Sequence, residues 1–245
     1  MLVIPVPGTA GLTIPNAPKI VVKDYEAKLA VLPGLSFVID PDLFDSETFV
    51  ATDRIAGVGV TRSAATTIDK TSILLGGRPA FVLPSATTLV TAAAGTQRAT
   101  QTVIIVTAPT TLTGEGYTYN GPASLRRNNN SVQATAHPLY VTAPGVVTAV
   151  NTPMILAYSA DFASLELFCY AWKSGAAPGE AIGVRASSPD DAALLGSQFL
   201  IGRTNLSVPG HYGLAIGFSE ALHLPGNRGR FDDAVGMLAE YYGIT

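Results

Sequence analysis

Charge is what this sequence has least of. Of 245 residues only 13% are Asp, Glu, Lys or Arg, about half the roughly 25% of an ordinary globular chain. Lys and Arg number 15 against 18 Asp and Glu, for a formal net charge of −3. A weakly acidic chain with scattered cations carries no electrostatic footprint for nucleic acid. Arg126-Arg127 is the one basic pair, and it stands alone in a polar stretch. Cysteine is confined to Cys169, which excludes a disulfide within the chain. Set in the apolar run "LELFCYAW", that cysteine reads as a small buried hydrophobe rather than a reactive thiol. No run approaches the ~18 apolar residues of a membrane-spanning helix, so no membrane insertion is expected. The first fifteen residues, "MLVIPVPGTAGLTIP", have no basic n-region and are interrupted by Pro5, Pro7 and Pro15. They do not read as a secretory signal, and the expectation is a chain made in a cytoplasm.

Catalytic constellations are missing as well. Glu26, Glu47, Glu115, Glu166 and Glu220 are isolated from one another. No strand carries the alternate carboxylates that would place an acid and a nucleophile on one face of a sugar. His137, His211 and His223 lie far apart and share no metal-like spacing. There is no G-x-S-x-G elbow, and neither "GVGVTR" nor "GEGYTYNG" forms a phosphate loop ahead of a helix. The densest acidic group is "DPDLFDSE", with Asp40, Asp42, Asp45 and Glu47. It offers oxygen ligands of the kind calcium takes, but it lacks the glycine and terminal Glu of an EF-hand loop. A solvated turn is the preferred reading. The chain is therefore expected to be non-enzymatic and without a cofactor, calcium being the one ion with candidate ligands.

What is present is β structure. Hydrophobic residues make up 47% of the chain, and from Leu29 they come in short runs between Gly, Pro, Asn and Ser turn signals. "LSFVID" (35–40), "FVATDRIAGVGVTR" (49–62), "SILL" (72–75) and "PAFVLP" (79–84) open the series. "QTVIIVTA" (101–108) is the strongest run and predicts a central strand. "GEGYTYNG" and "LRRNNNSV" predict a polar hairpin, followed by "VQATAHPLYVTA" (132–143) and "VVTAV" (146–150). "TPMILAYSAD", "LELFCYAWKSG", "EAIGVRA", "SQFLIGRT" and "GLAIGFSEAL" complete it. Strands at this spacing imply an all-β sandwich or jelly roll.

Both ends depart from that pattern. Residues 1–24 mix Val and Ile with proline, which withholds ladder hydrogen bonds and favours an extended conformation. They predict an extended arm, with Leu2, Ile4, Val6, Leu12 and Ile14 as candidate assembly contacts on another subunit. At the other end, Phe231, Ala234, Val235, Leu238 and Tyr241 or Tyr242 recur at helical spacing. They predict an amphipathic helix over 231–242 with Asp232 and Asp233 in its first turn and Gly243 at its C-cap. The domain organisation expected is an arm over 1–24 and one jelly-roll domain over 25–245 that includes the helix.

The order of these runs resembles that of concanavalin A-like, laminin G-like lectin-type jelly-roll domains, of the kind found in phage virion proteins. "LLGGRPAFVLPSATTLVT" is similar to the family's "NGRPAVRFDG" segment, and "QTVIIVTAPTT" to the hydrophobic strand after it. "TPMILAYSADFASLELFCYAWKSGA" resembles its paired central strands, and "GSQFLIGRTN" its "iGr" strand. "YGLAIGFSEAL" and "FDDAVGMLAEYYGI" are similar to its last strand and terminal helix. The resemblance implies an all-β, concanavalin A-like sandwich whose terminal helix covers apolar sheet surface.

It also implies two functions. The first is a virion structural protein of capsid-decoration or tail-appendage type, located in the particle. It would be attached through its arm to other virion subunits or to copies of itself. The alternative is a carbohydrate-binding module that recognises a cell-surface glycan. A secreted lectin or glucanase is disfavoured by the absent signal and carboxylates. For the glycan, lectins of this type use an aromatic platform with Asn and backbone donors in edge loops, which singles out Tyr117, Tyr119, Asn120, Arg127 and Asn129. Trp172 is read as core rather than platform.

Overall fold

The run from Thr100 to Pro109 shows no in-and-out alternation, and the computed structural model gives the physical reason. Val103 and Ile105 face one buried apolar cluster, while Ile104, Val106 and Ala108 face a second. A strand covered on both sides has no use for polar residues at alternate positions. The structure describes residues 24–44, 51–52, 59–62, 67–85, 89–91, 100–111, 114–121, 123–136, 138–186, 200–202 and 206–245. Leu2, Ile4, Val6, Leu12 and Ile14 lie outside them, as do Asp45, Glu47, His137 and Arg203.

In chain order the elements begin with α1 (Asp24–Ala30), β1 (Leu35–Ile39), β2 (Ala51–Thr52), β3 (Gly59–Arg62), β4 (Thr67–Ser72) and β5 (Arg78–Leu83). Then come β6 (Leu89–Thr91), β7 (Thr100–Pro109), β8 (Glu115–Asn120), β9 (Ser124–Asn128), β10 (Ser131–Ala136) and β11 (Leu139–Val147). The chain closes with β12 (Met154–Asp161), β13 (Glu166–Lys173), β14 (Gly179–Val184), β15 (Leu200–Ile201), β16 (Gly210–Phe218) and α2 (Arg228–Tyr242). One sheet runs β14-β13-β12-β7-β16-β5-β4, with β1 also paired to β16. The other runs β11-β10-β9-β8-β15-β6-β3-β2. The two pack face to face as an all-β jelly-roll sandwich, with the expected central strand β7 in the middle of the first sheet. Phe37, Phe81, Tyr119, Leu125, Val132, Tyr158 and Tyr212 fill the space between them.

The second cluster lies between the outer face of the first sheet and α2. The predicted stripe of Phe231, Ala234, Val235, Leu238 and Tyr242 is buried throughout. Phe231 meets the rings of Phe168 and Tyr170 edge-on at 5.3 and 5.2 Å. Gly243 takes φ +65°, and the Ile244 amide donates to the Ala239 carbonyl at 2.9 Å, closing the helix as a glycine C-cap does. One expectation needs correction. The helix starts at Arg228, so Asp232 and Asp233 lie beyond its first turn. Asp232 instead accepts from the Arg228 guanidinium at 2.9 Å, an i, i+4 pair.

The tie between α2 and the sheet is a hydrogen bond to a bulge. Between Tyr212 and Ala215 the pairing of β16 with β7 slips, and a bulge leaves an amide without its ladder partner. The Leu214 N–H donates at 2.7 Å to the hydroxyl of Tyr242. Gly213 makes room for that ring, since a Cβ there would stand 2.5 Å from the Tyr242 oxygen. Tyr242→Phe is expected to keep the packing but strand the buried Leu214 amide, destabilising the fold by about 1–3 kcal/mol. Chemical denaturation with an unchanged midpoint would contradict this role.

The helix α1 has no counterpart in the sequence expectations. It is seven residues long, and among its described side chains Tyr25 and Leu29 are buried, too few positions to establish a period. It lies on α2, with the Tyr25 ring 4.4 Å from that of Tyr241 and Lys28 paired to Glu240. The segment "SILL" is also reassigned. Ile73–Leu75 is a single 3-10 turn that ends at Gly76 in the left-handed conformation.

Candidate functional site

The outer face of the β8–β11 half of the second sheet carries the polar side chains with the most organised geometry. Parity along β9 decides which ones point outward. Leu125 is in the inter-sheet core, so Arg126 must face out and Arg127 back in. The cross-strand register then places Tyr117, Arg126, Gln133 and Thr142 opposite one another in one row from β8 to β11.

From Arg126 to Thr142 the row is hydrogen-bonded through its side chains. The Arg126 Nε donates to Gln133 Oε1 at 3.0 Å, and the Gln133 amide donates to Thr142 Oγ1 at 3.1 Å. Arg126 also forms an ion pair with Glu115. Its guanidinium lies 4.4 Å from the centroid of the Tyr140 ring, a cation–π arrangement. Tyr140 is nevertheless 47% exposed, so much of the aromatic surface beside the row stays in water. Gln133 and the guanidinium are held in fixed planes by their neighbours rather than rotating freely. The arrangement presents an aromatic surface next to pre-oriented donors and acceptors, the equipment that recognises a hydroxyl-rich ligand.

Of the five residues singled out by sequence, the structure brings one to this row. Tyr117 stands directly opposite Arg126. Asn120 ends β8, where its Oδ1 accepts from Ser124 Oγ at 3.4 Å. Asn129 is at the exposed tip of the β9–β10 hairpin with φ +53°, the left-handed conformation asparagine tolerates. Tyr119 and Arg127 require correction. Tyr119 is fully buried between the sheets with its ring 5.2 Å from that of Tyr158. Arg127 is 4% exposed, and its guanidinium donates to the Thr111 and Gly114 carbonyls. Burial lowers the pKa of that guanidinium from its ordinary value. Neither side chain reaches a surface ligand. Glu115, Gln133, Tyr140 and Thr142 were missed because they are spread over three strands, β8, β10 and β11, which only the pairing joins.

The acidic segment from Asp40 is put to structural use. The Asp40 carboxylate accepts from the Tyr25 hydroxyl and from the Asp42 amide, capping a 3-10 turn over Pro41–Leu43. Among the described residues no group of three or more His, Cys, Asp and Glu side chains is placed to hold a metal ion. Cys169 is buried, and burial pushes its thiol up to about 12, in keeping with a packing role. Trp172 is partly buried against the α2-side core.

One constellation looks like nucleophile machinery. His223 Nδ1 lies 2.8 Å from Ser159 Oγ, and its Nε2 lies 3.4 Å from Glu166 Oε2. But Ser159 is completely buried and its hydroxyl is also 2.8 Å from that of Thr102, so no substrate can reach it. The cluster ties β7, β12 and the segment after β16 together. It also makes the fold sensitive to acid. Burial holds His223 below its ordinary 6.5, against the opposing pull of Glu166 and Asp161. Burial likewise lowers His211. A base with a lowered folded-state pKa takes its proton first in the unfolded chain. Its contribution is therefore whole above 6.5 and is lost as pH falls through 6.5 toward the folded value. The melting temperature is expected to fall between pH 7.5 and 5.5, and His223→Gln should flatten that slope. A wild-type melting temperature constant over this range would contradict it.

No protein-family model matches the sequence, and no curated protein matches it. Among solved structures the chain is similar to domain 4 of AbnA, a GH43 extracellular arabinanase from Geobacillus stearothermophilus, in complex with arabinotriose. The identity is 14% over 82% of this chain and 98% of that domain, with a TM-score of 0.57. The likeness is one of fold, a jelly-roll β-sandwich. The chain is also similar to the exoplasmic/lumenal domain of VIP36 in its Ca2+-bound form, with 10% identity, coverage of 76% and 92%, and a TM-score of 0.47. A third likeness is the heptameric SAP-like pentraxin from Limulus polyphemus, with 13% identity, coverage of 59% and 74%, and a TM-score of 0.43. The expectation of a virion structural protein finds no support among these likenesses, and its candidate contacts in the arm lie outside the described residues.

Proposed function

We propose that this chain is a non-catalytic carbohydrate-binding module that takes an oligosaccharide on the outer face of β8–β11. The observation that carries this reading is the row Tyr117–Arg126–Gln133–Thr142, whose Arg126, Gln133 and Thr142 side chains are hydrogen-bonded to one another beside the half-exposed ring of Tyr140. Sugar rings offer apolar faces and rims of hydroxyls, and this surface offers an aromatic face and a rim of fixed amide, hydroxyl and guanidinium groups. Strands ~4.8 Å apart set the row out over about 14 Å, an extent that suits an oligosaccharide better than a monosaccharide. The likeness to an arabinanase domain solved with arabinotriose supports the same reading.

Calorimetric titration of the full chain with arabinotriose and a panel of other oligosaccharides tests it. At least one should bind, and Tyr140→Ala should weaken that binding roughly ten-fold, about 1.4 kcal/mol. The bound sugar should be recovered unhydrolysed. A chain that binds no oligosaccharide, or binding that ignores Tyr140→Ala, would overturn the proposal. Turnover abolished by neutralising one carboxylate would make the chain an enzyme.

A further inference from the structure

We propose that Glu115 sets the ligand class of this face, making it a site for neutral sugars and closing it to sugars that carry a carboxylate. The inference rests on the glycan-binding reading and concerns the specificity of the same site. From Glu115 to Val147 the charged side chains are Glu115, Arg126 and Arg127, with His137 the one other titratable group apart from tyrosines. Arg127 points into the sandwich, where its guanidinium serves the Thr111 and Gly114 carbonyls. Arg126 is therefore the one fixed cation this strand group can offer to an acidic sugar.

Arg126 is already engaged. One edge of its guanidinium is paired to the Glu115 carboxylate and its Nε is bonded to Gln133. An arginine recognises a carboxylate through a planar pair of N–H donors. A uronic or sialic acid would have to displace Glu115 and then lie beside it, and like charges so close repel. Neutral sugars meet no such conflict. Their hydroxyls can donate to the Glu115 oxygens and to Thr142, and accept from the remaining guanidinium donors. The Arg126 side chain is 12% exposed and that of Glu115 45%. The anion is thus the more open of the two, which places it where an incoming acid would meet it.

The test compares wild type and Glu115→Gln in calorimetric titrations with matched ligands. Lactose is set against 3'-sialyllactose, and arabinotriose against trigalacturonate. Glutamine keeps the length and an acceptor for Arg126 but removes the charge, and equal melting temperatures confirm that both proteins are folded. Wild type is expected to bind a neutral ligand about ten-fold or more tighter than its acidic counterpart. In Glu115→Gln that ratio should shrink by about ten-fold, chiefly because the acidic ligand binds more tightly. A wild type that binds acidic and neutral ligands equally, or a ratio unchanged in Glu115→Gln, overturns the role of Glu115 and leaves the glycan-binding reading standing. Absence of binding to every ligand by both proteins overturns the two together.

Discussion

Leu238→Ala is expected to lower the free energy of unfolding by about 2–5 kcal/mol. Leu238 is completely buried in the cluster that joins α2 to the outer face of the first sheet. That face is built from Ile104, Val106, Ile155, Ala157, Phe168, Leu214 and Ile216, all buried in the cluster that holds the apolar stripe of the helix. Uncovered, it would be a large apolar sheet surface in water, unfavourable by about 25 cal/mol for each Å². Removing residues 228–245 altogether should therefore give protein that aggregates or melts without a cooperative transition. Urea unfolding followed by circular dichroism measures the first effect and solubility with thermal melting the second. A truncated chain with the wild-type melting temperature would mean that the sheet is stable without its cover.

The terminal helix was legible because its apolar positions repeat over about three turns and it ends on a glycine with a hydrophobic residue after it. The centre of the first sheet was legible for the opposite reason, a run of apolar residues with no alternation at all. The second sheet was harder. Its strands alternate, but the alternation is interrupted where it bears on the site. Tyr117 and Tyr119 are two residues apart, and period two puts both on one face. The pairing of β8 with β9 slips between them, so that Tyr117 stands opposite the outward Arg126 and Tyr119 opposite the buried Leu125. Nothing local in "GEGYTYNG" announces that bulge. Parity along β9 was available, since an inward Leu125 implies an inward Arg127. Its consequence was hidden by reading "LRRNNNSV" as part of a polar hairpin with Arg127 as a glycan contact.

That parity yields the second large effect, a contrast between neighbours. Arg127→Ala should destabilise the fold by on the order of 3 kcal/mol. It removes a buried side chain together with its hydrogen bonds to the part-exposed carbonyls of Thr111 and Gly114, each worth about 0.5–1.5 kcal/mol. Arg127→Met, which keeps the volume of the stem, should recover the packing part of the loss and leave the hydrogen-bond part. Arg126→Ala should behave in the opposite way. It breaks a part-exposed ion pair with Glu115 and a stack on Tyr140, together worth about 1 kcal/mol or less to stability. Yet it removes the group that links Glu115, Gln133 and Tyr140, so sugar affinity should fall roughly ten-fold or more. The decisive measurement is the pair of readouts on both variants, urea midpoint and glycan affinity. If Arg126→Ala unfolds the protein while Arg127→Ala merely weakens binding, the two arginines have been assigned to the wrong faces of β9, and the site with them.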